Sequence, residues 1–306
     1  MPMTSSPTTE AAEARYAGLD TWRDDAILLA LLEGQQRALN SVAAAIPALS
    51  RAARAAADKL ADGGRLIYVA AGSPALMSMA DALEIPQTYG VAHDRIVLVL
   101  ADGDGIVKRL NGQREDDVDA ARADLAATRV GPGDCVIATS ASGSTPYTVA
   151  GLVAARAAGA VTIGIAGNAG AQLLEAADIP VLLDAGPEVI SGSTRMGAGT
   201  AQKAALNMLS TLMGVHLGHV YDGLMVNVVA DNEKLRGRAA RIVTKITGVQ
   251  PAEARRALDL SDGEVKPAVL IAAGVETPAK AGQLLGETKG NLRAALEKIG
   301  AATPAE

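Results

Sequence analysis

The apolar positions of this chain change their spacing as the sequence proceeds, and those changes divide it. Positions 1 to about 22 are polar and aperiodic, which predicts an arm that is disordered or packed on a neighbouring surface. Two helices are then expected. The first covers 24–45, with Ile27, Leu28, Leu31, Leu32, Ala38 and Leu39 at helical intervals; the second covers 46–61, with Leu49, Ala53, Ala56 and Leu60, and ends at Asp62-Gly63-Gly64. From position 65 the period shortens. The runs 65–70, 95–100, 134–138, 161–165 and 179–183 are short and apolar, which reads as five buried strands. Helical stretches such as 147–159 alternate with them, so the pattern predicts an α/β fold. Its parallel sheet would be covered on both faces and would bind ligands at the strand carboxyl ends. A long helix over 199–217 closes this region, and from about 227 only helical spacing remains. The expected divisions are an arm with helices over 1–62, a sheet domain over 63–226 and a small helical bundle over 227–306.

Composition narrows the partners. Phe is absent and aromatic residues make up 2% of the chain, which leaves few platforms for stacking bases. A formal charge of −6 adds no basic face for a phosphate backbone, so nucleic acid is not expected. No apolar stretch approaches the ~18 uninterrupted residues a membrane span needs, and the N-terminus has no leader pattern. Cys135, the one cysteine, falls inside a strand, where a buried inert thiol is expected, and the cytoplasm is the expected compartment.

Chemistry concentrates where Val136-Ile137-Ala138 gives way to Thr139, Ser140, Ala141, Ser142, Gly143, Ser144 and Thr145 ahead of Pro146 and a new helix. A strand, a small hydroxyl loop and a helix start together present N–H groups, O–H donors and the positive end of a helix dipole to one point, which suits a phosphate or another oxyanion. A plain Ser-rich helix cap would have the same composition. No P-loop and no dinucleotide fingerprint occurs. Similar loops follow other strands: Gly72-Ser73, Asn168, and 186–195 with Glu188, Ser193, Thr194 and Arg195. In a parallel sheet these ends converge on one crevice. Glu188 fits two roles equally, a base or a strut that accepts backbone N–H bonds. His216 and His219, near Asp222, lack a third metal ligand and are expected in a core or at a dimer surface.

The loops Ser140-Ala141-Ser142-Gly143-Ser144-Thr145 and Ala185-Gly186-Pro187-Glu188 with Ser193-Thr194 resemble the phosphosugar-binding loops of sugar isomerase (SIS) domains. With the stretches 81–90, Arg114-Glu115-Asp116-Asp117, 186–203 and Asn207-Met208-Leu209-Ser210, the chain resembles the N-acetylmuramic acid 6-phosphate etherase family. The likeness spans nearly the whole sequence, from Thr9-Glu10 and Leu19-Asp20-Thr21 to the helical piece 228–296. It implies an SIS-type five-stranded sheet flanked by helices, a homodimer, a small phosphosugar as ligand, and neither cofactor nor metal. The implied reaction is lyase cleavage of the D-lactyl ether, giving N-acetylglucosamine 6-phosphate and D-lactate.

The resemblance places acid/base work on Glu84 and Glu115, and substrate contacts on Ser73, Ser140, Ser142, Gly143, Ser144, Thr145, Glu188, Ser193 and Thr194. Glu84, among apolar neighbours, is expected to be desolvated. Glu115, in a run with Asp116, Asp117 and Asp119, reads as part of a solvated helix face. Two departures stand out. The family usually has an arginine at the positions of Leu76 and Ser144, so two cations are missing from the expected crevice. A non-catalytic phosphosugar-binding regulator and an aldose–ketose phosphate isomerase are the alternative functions such loops would suit.

Overall fold

The computed structural model describes residues 8–110 and 112–301. They group into two compact units, one formed up to Ala82 and over Asp94–Leu212, the other over Leu83–His93 and from Met213 onward. This grouping differs from the expected three parts, because the N-terminal helix shares the core of the sheet.

In the first unit the strands β1 (Leu66–Ala70), β2 (Ile96–Leu100), β3 (Cys135–Thr139), β4 (Val161–Ala166) and β5 (Ile179–Leu182) form one parallel sheet in the order β2-β1-β3-β4-β5. All five expected strands are present to within a residue or so. Alternation along β1 and β3 divides the core. Ile67, Val69, Val136 and Ala138 pack with residues of α3 (Val118–Ala127), α4 (Pro146–Ala157) and α5 (Gln172–Ala176). On the other face Tyr68 reaches α2 (Gly72–Tyr89), where its hydroxyl donates to Asp81 at 2.7 Å. Asp81 also accepts from Asn207 and Ser210 of α6 (Gly197–His216), so one buried carboxylate ties β1, α2 and α6 together. Pro180 stands in β5, an edge strand, where a missing ladder donor is tolerated.

One expectation is corrected here, and one is narrowed. Residues 24–61 form a single helix, α1 (Asp24–Ala61), that continues through Pro47. Its buried row Ala38, Val42, Ala45, Leu49, Ala52 and Ala56 runs on past the proline, and that packing against β1, β3 and β5 outweighs the lost backbone bond. The arm, from residue 8 on, takes the packed alternative: it forms short 3-10 turns at Thr8–Glu10, Ala14–Tyr16 and Leu19–Thr21 and buries Thr9 on its own chain. Positions 1–7 of the expected arm lie outside the described residues.

The second unit has its own core. Ile242, Val243, Ala254, Val269, Leu270 and Leu296 are buried among α7 (Glu233–Thr247), α8 (Pro251–Leu260), α9 (Val265–Ala272), α10 (Pro278–Glu287) and α11 (Leu292–Lys298). Asn232, Thr277 and Asn291 cap three of these helices with side-chain oxygens. Among the described residues no helix is long and apolar enough to cross a membrane.

Candidate active site

From β1 the chain first builds β2 on one side and then crosses to build β3 on the other. The loops leaving β1 and β3 therefore diverge, and a crevice opens at their carboxyl ends. Gly72 begins α2 at this point with φ +61°, and a Cβ there would fall 2.8 Å from Glu115 Oε1. Only glycine allows that approach. The supposed solvated face is thus a turn over Gly112–Asp116 that sets Glu115 on the start of α2, while Asp117 caps α3 through Ala120 N–H at 2.8 Å. Glu115 is half-buried, and burial together with the neighbouring charges of Asp102 and Asp116 raises its carboxyl above the ordinary range.

The loop after β3 holds its hydroxyls in a net. Ser140 Oγ lies 2.8 Å from Thr145 Oγ1 and accepts the Gly143 N–H at 3.0 Å; Ser142 Oγ accepts the N–H and the hydroxyl of Ser144 at 3.2 and 3.0 Å. Gly143, at φ +77°, lets the loop turn against Ala171. Because the Thr145 hydroxyl is turned toward Ser140, the first turn of α4 has no side-chain cap. Its N–H groups are left for a guest. Asn168, after β4, donates to Ser142 O at 2.9 Å and to Thr9 Oγ1 at 3.3 Å, and Thr9 O accepts from Gly192 N in the loop after β5 at 3.2 Å. Ser140 to Thr145, Asn168, Thr9 and the 190–194 loop thus form one connected assembly. Asn168 was expected at the crevice as a strand-end residue and Thr9 only as part of the resemblance; neither was expected as a link that ties the loops together.

Not every expected residue joins it. Glu188 is buried and both its oxygens are committed, Oε2 to Gly197 N–H at 2.9 Å and Oε1 to Ala198 N–H at 2.8 Å. It is the strut that caps α6, one of the two roles expected of it. Glu84 lies on α2 within the second unit and is exposed, so the expected desolvation is absent from the single chain. Ser193 and Thr194 are half-buried in the loop after β5, and Ser73 is half-buried in the first turn of α2; none of the three hydroxyls has a hydrogen bond among the described residues. Leu76, at one lost arginine position, packs with Ala70, Ala75, Leu100 and Ile106.

Elsewhere the reactive groups are quiet. Burial pushes the Cys135 thiol up to about 12. His219 is driven down to about 4, by burial first and then by the charge of Lys266. No group of three metal-ligating side chains occurs among the described residues.

Residues 117–212 match the family model described as SIS domain. The N-acetylmuramic acid 6-phosphate etherase of Deinococcus radiodurans is 44% identical over 88% of this chain and 88% of that one. The protein of the same name from Streptomyces avermitilis is 44% identical over 94% and 93%. That from Yersinia pestis is 40% identical over 91% and 94%.

Proposed function

The chain belongs to the N-acetylmuramic acid 6-phosphate etherase family, and on that premise we propose how its residues release D-lactate from the sugar phosphate. The observation that carries the reading is Glu115, a half-buried carboxyl of raised proton affinity at the switch point of the sheet. In the open-chain aldehyde the C2–H bond is acidified by the adjacent carbonyl. Glu115 takes that proton, the electron pair forms C2=C3, and the C3–O bond to the lactyl group breaks. The departing oxygen needs a proton, and in this reading Glu84 of a second copy supplies it, because within one chain Glu84 lies well along α2 from the Gly72 that Glu115 touches. Water then adds at C3 and a proton returns to C2, so that the net change is the addition of one water and the release of lactate.

The uncapped start of α4 and the outward hydroxyls of Ser142 and Ser144 receive the 6-phosphate, while Ser140 and Thr145 keep the loop in shape. Ser73, Ser193 and Thr194 face the sugar in this reading. We further infer a homodimer in the cytoplasm. Supporting the dimer, α1 carries an exposed row of Leu28, Leu29, Leu32, Leu39 and Ile46, with Leu28 and Leu29 65% and 59% exposed.

The test is incubation of the purified chain with N-acetylmuramic acid 6-phosphate. D-lactate should appear in step with N-acetylglucosamine 6-phosphate. Tight binding of the sugar by folded protein, with no lactate on long incubation, would replace this reading with that of a sensor.

A further inference from the structure

We propose that a cavity beside the open edge of β2 receives the carboxylate of the lactyl leaving group, with Lys108 and Arg109 as its cations; the proposal rests on the etherase reading above. The cavity measures about 590 Å³, and Leu100, Asp102, Lys108, Arg109, Arg114 and Asp124 are in its wall. β2 ends the sheet, so no further strand covers this side.

Arg114 is already committed, donating from Nε to Ala101 O at 2.8 Å and standing 3.7 Å from Asp124. Lys108 and Arg109 are exposed and form no ion pair among the described residues. The backbone ahead of them is anchored, because the turn Gly103–Val107 buries Ile106 against Ala70, Ala75 and Leu100. Their position is informative. Asp102, in the same wall, is one of the two acids whose charge acts on Glu115, and Arg114 directly precedes that glutamate. Two residues of the cavity wall therefore stand beside the carboxyl assigned to the C2 proton, Arg114 in sequence and Asp102 through its charge.

The substrate carries two anions, the phosphate on C6 and the carboxylate of the lactyl group on C3. Its lactyl group is attached at C3, one bond from C2, so the carboxylate must lie on the Glu115 side, whereas the phosphate on C6 lies away from it. The hydroxyl net and the start of α4 serve one anion without any cation. Position 144 is a serine inside that net and position 76 a leucine in an apolar cluster, so neither supplies a charge for the second. An amine and a guanidinium without acidic partners do, through charge-assisted bonds to the carboxylate.

Lys108→Ala and Arg109→Ala should each raise KM for N-acetylmuramic acid 6-phosphate about tenfold, and together about a hundredfold. The inhibition constant of N-acetylglucosamine 6-phosphate, which has the phosphate and no carboxylate, should stay within about twofold of the parent. Arg109→Lys should recover most of the loss, and melting temperatures should not move, since both side chains are exposed. A parallel rise of KM and inhibition constant, or no change in either, overturns the proposal. Should the folded parent chain release no lactate, the etherase reading fails separately; the sugar is then not consumed, and calorimetry on the same two ligands must show the same contrast or the carboxylate site falls too.

Discussion

Glu84 and Glu115 are both carboxyls on conformationally defined segments, yet the molecule treats them differently. Glu84 projects from the middle of α2 into solvent, within the segment Leu83–His93. Glu115 is set by a tight turn onto Gly72, half-buried, with Asp102 and Asp116 holding its proton affinity up. A general base must be ionised to accept a proton and basic enough to take it, and the setting of Glu115 provides that basicity. The difference teaches that the two acid/base roles should respond differently to substitution and to pH.

The largest effect should come from Glu115→Gln, which removes the base and preserves its volume; kcat is expected to fall about 10³-fold. Loss of less than tenfold would take Glu115 out of the chemistry. Glu84→Gln should cost about 10²-fold in kcat while the affinity for N-acetylglucosamine 6-phosphate holds, and a loss of that affinity instead would make Glu84 a binding residue. A third glutamate sharpens the contrast, because Glu188 caps α6 through both its oxygens. Glu188→Gln should lower stability by about 1–2 kcal/mol in thermal unfolding, with kcat nearly unchanged in protein that remains folded. An unshifted melting curve would contradict its role as a strut.

The smallest effect is in pH. Glu115 works ionised, and its raised pKa means that activity is lost, as pH falls, at a higher pH than for an unperturbed carboxylate. Asp116→Asn removes one of the like charges, so the acid limb of kcat/KM should move downward in pH. Movement upward, or none, would show that this limb belongs to another group.

How far the sequence foretold these environments depends on the residue. The five strands and the hydroxyl loop were legible because each rests on a short run whose apolar pattern or small polar composition is local. The continuity of α1 was not, since a proline ordinarily ends a helix and the buried row that carries α1 through Pro47 is a tertiary fact. Glu115 was hidden for a similar reason. Its neighbours Asp116 and Asp117 make the run look solvated, and only the folded turn reveals that Asp117 is a cap while Glu115 lies on Gly72. Apolar neighbours misled in the opposite sense at Glu84, because Ile85 and Ala82 turn inward on the helix and leave the glutamate outside.

The central claim is that lactate leaves by elimination after a carboxyl removes the C2 proton. It is tested most directly by running the reaction in D2O and examining C2 of the product. Glu115 is only half-buried, so its acquired proton exchanges with solvent before C2 is protonated again. N-acetylglucosamine 6-phosphate carrying one deuterium at C2 is the predicted outcome. Lactate released together with a product that retains its original C2 hydrogen would contradict it.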